Sequence, residues 1–376
     1  MLPTLETLEA ALGGLAGRII LLRADFNVPL DDDGQITDDF RIRAALPTIS
    51  WLTEREASVV ACSHLGRPQG KVERRYSLAP VQAKLRELAP SVDLLENLRF
   101  DPGETANEAR FTQTLVEGCD GYVNDAFGAS HRAHASIVGP PALLPSGAGR
   151  LLTTEVEVLS GLRHKPKRPF VAVLGGAKVS DKLGVIKALV EVADEVVIGG
   201  GMCFTFLAAQ GHGVGKSLLQ QDQLEACAEL LDAGAPIRLP TDIAVLAPGD
   251  RVVQAGVDLR SDWQGLDIGS GTAAEFSDLI LHAGTVLWNG PMGLFEDARF
   301  ASGTVTVAQA LADSGAFTVV GGGDSAAAVQ QFGLSAAMDY VSTGGGASLE
   351  LIQQGDLPGL QALRESVANQ QASRQG

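Results

Sequence analysis

The chain has 376 residues, 45% of them hydrophobic and 20% charged, and a formal net charge of −16 at pH 7. That length allows two ordinary domains with substantial cores, and the composition excludes a largely disordered chain. The acidic balance argues against broad binding to nucleic acid or to an anionic membrane surface, and neither is expected as a partner. Charge is unevenly spread: residues 1–150 hold 15 Lys+Arg against 20 Asp+Glu, and the remainder 14 against 25. A small anionic ligand therefore suits the first half. Cys62, Cys119, Cys203 and Cys227 are scattered without a C-x-x-C pair, so neither a disulfide frame nor a zinc site is indicated. The N-terminal stretch M-L-P-T-L-E-T-L-E lacks a basic leader region, and no apolar run approaches the length of a membrane span. The expectation is a cytoplasmic protein.

From Arg18 the run R-I-I-L-L-R-A-D-F-N-V-P has the continuous apolar character of a buried strand, closed by polar residues and a proline. Similar runs follow at residues 57–63, 170–176, 195–201, 285–291 and 317–324. Helical periods lie between them at 78–89 and 180–190. Strands alternating with helices predict an α/β protein of two Rossmann-like domains, each a mostly parallel sheet flanked by helices. The Pro- and Gly-rich segment Val138–Arg150 marks a boundary, followed by a helical pattern from Leu151. The expected organisation is an N-terminal domain over 1–150, a linker helix over 151–165, a C-terminal domain over 166–355, and a segment over 356–376 whose last ten or so residues form a mobile tail.

The chemistry-bearing residues cluster just beyond strand ends, where open α/β sheets place their ligands. In the first half these are D-D-F-R-I-R (Arg41), S-H-L-G-R-P (His64, Arg67), E-N-L-R-F (Arg99) and N-D-A-F-G-A-S-H-R-A-H (His131, Arg132). One such arginine alone is an ordinary surface or ion-paired residue. Four at comparable topological positions read as a receptor for a small polyanion, because the guanidinium fork matches phosphate and carboxylate oxygens. Asp25 and Asn27 read by themselves as a strand-terminal Asx turn; beside such a receptor they also supply acceptors for a ligand hydroxyl.

The second half carries glycine turns instead. In V-L-G-G-A-K-V-S-D-K, Lys178 and Lys182 are spaced to share one face of the following helix, as solvated lysines or as charges reaching phosphates. In V-V-G-G-G-D-S-A-A-A, Asp324 and Ser325 read as caps of a helix whose N-terminus attracts phosphate, with Asp324 able to hold Mg²⁺. S-T-G-G-G-A-S-L-E-L repeats that design from Ser342. Together these features suggest phosphoryl transfer. A dinucleotide oxidoreductase is disfavoured, because no turn has a strict G-x-G-x-x-G with an acidic residue ~20 positions on. The stretch A-Q-G-H-G-V-G-K-S (209–217) ends like a phosphate loop, but Gln210 stands where its first glycine belongs and an apolar helix, not a strand, precedes it. It is expected to be a structural turn.

The stretches R-A-D-F-N-V-P, S-H-L-G-R-P, E-N-L-R-F, V-N-D-A-F-G-A-S-H-R-A-H, L-G-G-A-K-V-S-D-K, W-N-G-P-M-G-L-F-E, G-G-G-D-S and S-T-G-G-G-A-S-L-E closely resemble the phosphoglycerate kinase family, in that family's order. The resemblance implies an N-terminal domain for 3-phosphoglycerate or 1,3-bisphosphoglycerate, a C-terminal domain for Mg²⁺-bound ADP or ATP, hinge closure, and a monomer. It places Asp25 and Asn27 on the glycerate, His64, Arg67, Arg99 and Arg132 on the phosphate that is not transferred, and Arg41 on the transferred group. Lys178 and Lys182 would meet the nucleotide and transferring phosphates, Asn289 the phosphate region, Glu296 the ribose, and Gly322, Gly323, Asp324 and Ser325 the phosphates and metal. Three departures stand out. The family usually has roughly two dozen more residues between Pro90 and Ser91, so a smaller first sheet is expected. D-I-G-S-G-T (267–272) stands where bacterial members commonly read D-I-G-P-K-T, and Ser325 replaces the usual threonine.

Overall fold

The computed structural model describes the backbone of residues 1–375 and the side chains of residues 1–366, so the expected mobile tail falls largely on positions whose side chains lie outside the described residues. The chain forms two compact units, Met1–Val158 with Gln354–Gly376, and Leu159–Gln353. The helix Arg150–His164 carries the chain from the first to the second.

In the first unit five parallel strands, β1 (Ile19–Arg23), β2 (Ser58–Cys62), β3 (Asp93–Leu94), β4 (Gly121–Asn124) and β5 (Ser146–Ala148), lie in the order β3-β2-β1-β4-β5. Central β1 pairs with β2 and β4 and is buried from Ile20 onward, which is why its sequence is a continuous apolar run rather than an alternating one. Its core is completed by Leu5 and Leu8 of the helix Leu5–Leu12, by Ile42, Ile49 and Leu52 of Phe40–Thr53, and by Val81 and Leu85 of Ala79–Leu88. The sheet is short where the sequence is short, since β3 is a two-residue edge strand. The segment read as a boundary contains β5, whose Ser-Gly-Ala lacks the β-branched residues that announce a strand. It is held at the edge by Ala148 N donating to Pro3 O at 2.8 Å.

The second unit contains a six-stranded parallel sheet and a three-stranded antiparallel one. Its strands are β6 (Phe170–Leu174), β7 (Glu195–Ile198), β8 (Ile237–Arg238), β9 (Asp242–Ala247), β10 (Arg251–Gly256), β11 (Gln264–Ile268), β12 (Thr285–Asn289), β13 (Phe317–Gly321) and β14 (Tyr340–Val341). The parallel order is β14-β13-β12-β6-β7-β8, and the antiparallel order is β10-β9-β11. β6 and β12 are buried throughout, and fully buried Trp288 donates Nε1 to Gly290 O at 2.8 Å.

Three turns at the carboxyl ends of β6, β7 and β12 are stitched together by backbone. Gly176 N donates to Pro291 O (3.0 Å), Gly200 N to Met292 O (2.9 Å) and Met202 N to Gly176 O (3.0 Å). Gly200 has φ +65°, and a Cβ there would stand 2.5 Å from Gly176 N. Gly200→Ala is therefore expected to lose the left-handed conformation, at about 1–2 kcal/mol, and to force the stitched turns apart. Gly211→Ala, also at positive φ but with nothing within 4 Å, meets backbone strain alone. Urea unfolding should show a clearly larger loss for Gly200→Ala; equal losses would mean that the turn contacts contribute nothing.

Candidate active site

In the first unit the sheet reverses its winding between β1 and β4, and the cationic residues follow the carboxyl ends of its strands. After β1 come Asp25 and Asn27, then Arg41 in the first turn of Phe40–Thr53; His64 and Arg67 follow β2, Arg99 follows β3, and Arg132 follows β4. Arg41 Nη1 donates to Asp25 Oδ2 at 3.0 Å. The Asx turn is present as well, with Asn27 N donating to Asp25 Oδ1 at 3.3 Å. Asn27 Oδ1 accepts from Gly66 N at 2.8 Å, fixing the S-H-L-G-R turn and leaving the Asn27 amide group to donate. Arg99 is buried and donates Nη1 to Gly66 O at 2.8 Å, while half-buried Arg132 donates Nε to His131 Nε2 at 3.0 Å. Arg67 stands exposed.

These charges perturb one another. Burial pushes the Asp25 carboxyl up, but Arg41, His64, Arg23 and the Asn27 amide outweigh it, so it lies below the usual carboxylate range. Burial, with Arg23 and Arg132 nearby, brings Arg99 down to about 10. Burial likewise drives His64 well below the ordinary imidazole value; Asp25 opposes this, while Arg23, Arg99 and Arg41 reinforce it.

Two residues that are not among the expected site residues join this site. Arg23, the last residue of β1, is fully buried with its Nη2 3.2 Å from His64 Nδ1, and Glu104 is fully buried and accepts from Ser136 N (2.9 Å) and Ser136 Oγ (2.8 Å). A cation ending the apolar run I-I-L-L-R at the carboxyl edge of a parallel strand was the available signal for Arg23.

In the second unit the winding reverses between β12 and β6. Lys182 Nζ donates to Gly175 O at 2.6 Å and to Asn289 O at 3.0 Å, so the lysine closes the ends of both strands. Burial lowers its pKa to about 8, with Asp324 and Asp181 pulling the other way. Asn289 is buried and donates Nδ2 to Gly321 O at 2.7 Å, linking β12 to β13. The expectation that Lys178 and Lys182 share a helix face is corrected: the helix begins at Leu183, because the chain turns through Lys182 N to Val179 O first, and Lys178 lies exposed before that turn. The capping expectation is corrected too. Gly322, at φ +93°, is the N-cap of the helix Gly323–Gln331, and buried Ser325 Oγ accepts from Gly290 N at 2.5 Å. Gly323 and Asp324 are exposed in that first turn, and Glu296 is exposed on the loop after β12. Among the described residues no three His, Cys, Asp or Glu side chains gather as a metal site of their own.

The phosphate-loop look-alike is a packed turn. Lys216 N donates to Trp263 O (2.7 Å), Ser217 Oγ accepts from Gly265 N (2.8 Å), and the helix Cys203–Ala209 precedes it. The amides of Lys216 and Ser217 and the Ser217 hydroxyl oxygen are thus engaged by the protein.

A guanidinium cup at one switch point, and glycine turns, a helix N-terminus and a desolvated lysine at another, are the parts of a phosphotransferase. The sequence matches the family model for phosphoglycerate kinase over residues 11–93 and 89–355, two stretches that meet where the chain is short. It is 51% identical over 386 aligned residues to the phosphoglycerate kinase of Salinispora arenicola, covering 93% of this chain and 96% of that one. To that of Rubrobacter xylanophilus it is 49% identical over 379 residues, with 93% and 96% covered. The solved structure of phosphoglycerate kinase from Coxiella burnetii superposes with a TM-score of 0.87 at 38% identity, covering 97% of this chain and 99% of that one. The chain belongs to the phosphoglycerate kinase family. Its reaction is the reversible transfer of a phosphoryl group between 1,3-bisphosphoglycerate and ADP, giving 3-phosphoglycerate and ATP.

The lowered Lys182 pKa predicts a pH profile. The ammonium is charged at neutral pH and loses its proton as pH rises through about 8, so kcat/KM for the nucleotide should be level near neutrality and fall above about pH 8. Lys182→Met should lower kcat/KM by about 100-fold or more and flatten the profile, whereas Lys216→Ala should stay within about threefold. Equal losses at the two lysines would overturn the assignment of the look-alike turn as structural.

Proposed function

We propose that the first unit binds the glycerate substrate and the second the nucleotide, with the residues in the roles their family positions imply. Asp25 and Asn27 hold the glycerate; His64, Arg67, Arg99 and Arg132 grip the phosphate that stays. Arg41 and Lys182 act on the group in flight. Lys178 and Asn289 attend the nucleotide phosphates, Glu296 the ribose, and Gly322 to Ser325 the phosphates. The observation that carries this reading is the grouping of the family's motif residues at the switch points of two parallel sheets, one edge lined with guanidinium groups and the other with amides and a lysine.

The step is attack of a β-phosphate oxygen on the acyl phosphorus: the new P–O bond forms, the acyl P–O bond breaks, and the glycerate carboxylate leaves with the electron pair. No proton moves, so no general base is needed. The protein contributes positioning and charge. Arg41 is aimed by its bond to Asp25, which holds the guanidinium in place before the substrate arrives. Lys182 is aimed by two carbonyls and is only partly solvated, which strengthens its field on a developing charge. The N-terminal amides after Gly322 face anionic oxygens without reorganising.

The nucleotide is proposed to enter with Mg²⁺. That ion keeps several waters and takes one or two carboxylates beside substrate phosphates, so exposed Asp324 next to the helix N-terminus fits as its protein ligand. When bound, the ion neutralises phosphate charge. We further propose a cytoplasmic monomer. Its four cysteines are free thiols, and both parallel sheets end in edge strands of two or three residues, too short to template pairing with another chain.

A coupled assay of ATP formation tests the whole reading, and substitutions test the roles. Arg41→Ala should lower kcat by about 100-fold with little change in 3-phosphoglycerate affinity, whereas Arg132→Ala should chiefly weaken that affinity, by about tenfold. An Arg41→Ala enzyme with normal kcat and raised KM would reverse the two roles. Chelation by EDTA should abolish transfer and leave 3-phosphoglycerate binding intact; transfer that persists would remove the metal from the reaction.

A further inference from the structure

Arg23 has no ligand role in the reading above, yet it is completely buried beneath the cup, and its surroundings define a direction of hydrogen bonding. Glu104 accepts from both Ser136 N and Ser136 Oγ. The one proton of the Ser136 hydroxyl is thereby committed to Glu104, and a lone pair of Oγ receives Arg23 Nε at 2.8 Å. Arg23 Nη1 donates to Ala24 O, and Nη2 lies 3.2 Å from His64 Nδ1. All three guanidinium nitrogens are placed, so the plane of the group is fixed. A guanidinium donates and cannot accept, so His64 Nδ1 must present its lone pair there.

The competing arrangement puts a proton on Nδ1 and points it at Asp25. Asp25 Oδ1 is 3.9 Å away, outside hydrogen-bond range, and already accepts from Asn27 N, while Oδ2 accepts from Arg41. We propose that Arg23 is a positioning residue that fixes His64 with Nδ1 as acceptor and its ring proton on Nε2, so that the imidazole meets the ligand's anionic oxygens as a donor. The inference rests on the glycerate reading of this unit for its ligand, but not for its tautomer. The groups facing His64, namely Arg23, Arg41 and Arg99 against Asp25, together with its burial, favour the uncharged ring. An uncharged ring with the opposite tautomer would turn a lone pair toward phosphate oxygens and repel them; Arg23 removes that state.

The test is the ¹⁵N spectrum of the full chain labelled at its six histidines, with His64 assigned by the signal lost in His64→Gln. The wild type should show an unprotonated Nδ1 and a protonated Nε2 near neutral pH, and 3-phosphoglycerate should shift the Nε2 signal. Arg23→Lys keeps a donor and should keep that pattern. Arg23→Met removes it, so Nδ1 should gain a proton and 3-phosphoglycerate affinity should fall by about tenfold. A protonated Nδ1 in the wild type overturns the proposal even if Arg23→Met does not fold, and so does a folded Arg23→Met protein with the wild-type pattern. The expected tautomer without any response to 3-phosphoglycerate would leave the lock standing and overturn the placement of the ligand at His64.

Discussion

Burial of parallel strands on both faces is the constraint from which the arrangement of this protein follows. β6 and β12 offer no side chain to water along their length, and β1 none after Ile19. Their backbone groups are consumed by neighbours on either side. A polar side chain can enter such a strand only at an end, and because the strands are parallel, all their carboxyl ends open on one edge of the sheet. Residues far apart in sequence, such as Asp25, His64, Arg99 and Arg132, are gathered by that geometry rather than by any local motif.

In the proposed reading the two units recognise anions by different physics. The first uses side-chain charge; burial, reinforced by the crowding of Arg23 and Arg132, brings Arg99 down to about 10. Buried carboxylates offset that crowding. Asp25 holds Arg41 directly, and Glu104, kept ionised by His134, Arg23 and Ser136 against its own burial, lies behind Arg23. The second unit relies mainly on backbone. Gly323 and Asp324 stand exposed in the first turn of the helix after Gly322, and a single lysine is wedged between two carbonyls. Amide dipoles carry no net charge, so they need no carboxylate to hold them in the absence of ligand.

What the sequence made legible divides along the same line. The strands of both parallel sheets that are long and β-branched could be read, because burial on two faces leaves a continuous apolar run. Strand β5 could not, since Ser-Gly-Ala carries no such run, and β9 to β11 form a half-exposed antiparallel sheet whose pairing depends on residues distant in the chain. The arginines after strand ends were visible as a group. Arg23 was not, because a single cation closing an apolar strand looks like its solvated terminus until the helix Ala135–Val138 supplies Ser136 as its buried partner. The lysine pair was misplaced because spacing alone cannot say that the helix starts only at Leu183, after a turn closed by Lys182 N.

The departure at Ser270-Gly271 falls on the first residues of a helix. The helix Ser270–Leu281 is capped from outside itself: Asp242 Oδ2 accepts from Gly271 N at 3.0 Å, and Oδ1 from Thr272 N at 2.7 Å and Thr272 Oγ1 at 2.6 Å. Residues 270 and 271 contribute no side chain to that cap, but Ser270 N donates to Gln254 Oε1 at 3.3 Å, a bond that a proline there could not make. Charge changes as well. In the proposed reading, without a lysine at position 271, and in a half of the chain that holds 25 acidic and 14 basic residues, attraction for an anionic nucleotide falls more heavily on Lys178, Lys182 and the helix amides. Lys182 is held by carbonyls at the ends of β6 and β12. In that reading a glycine at position 271 is compatible with the Asp242 cap, through Gly271 N and Thr272, and shifts the electrostatics of the nucleotide side onto the remaining lysines and the helix amides.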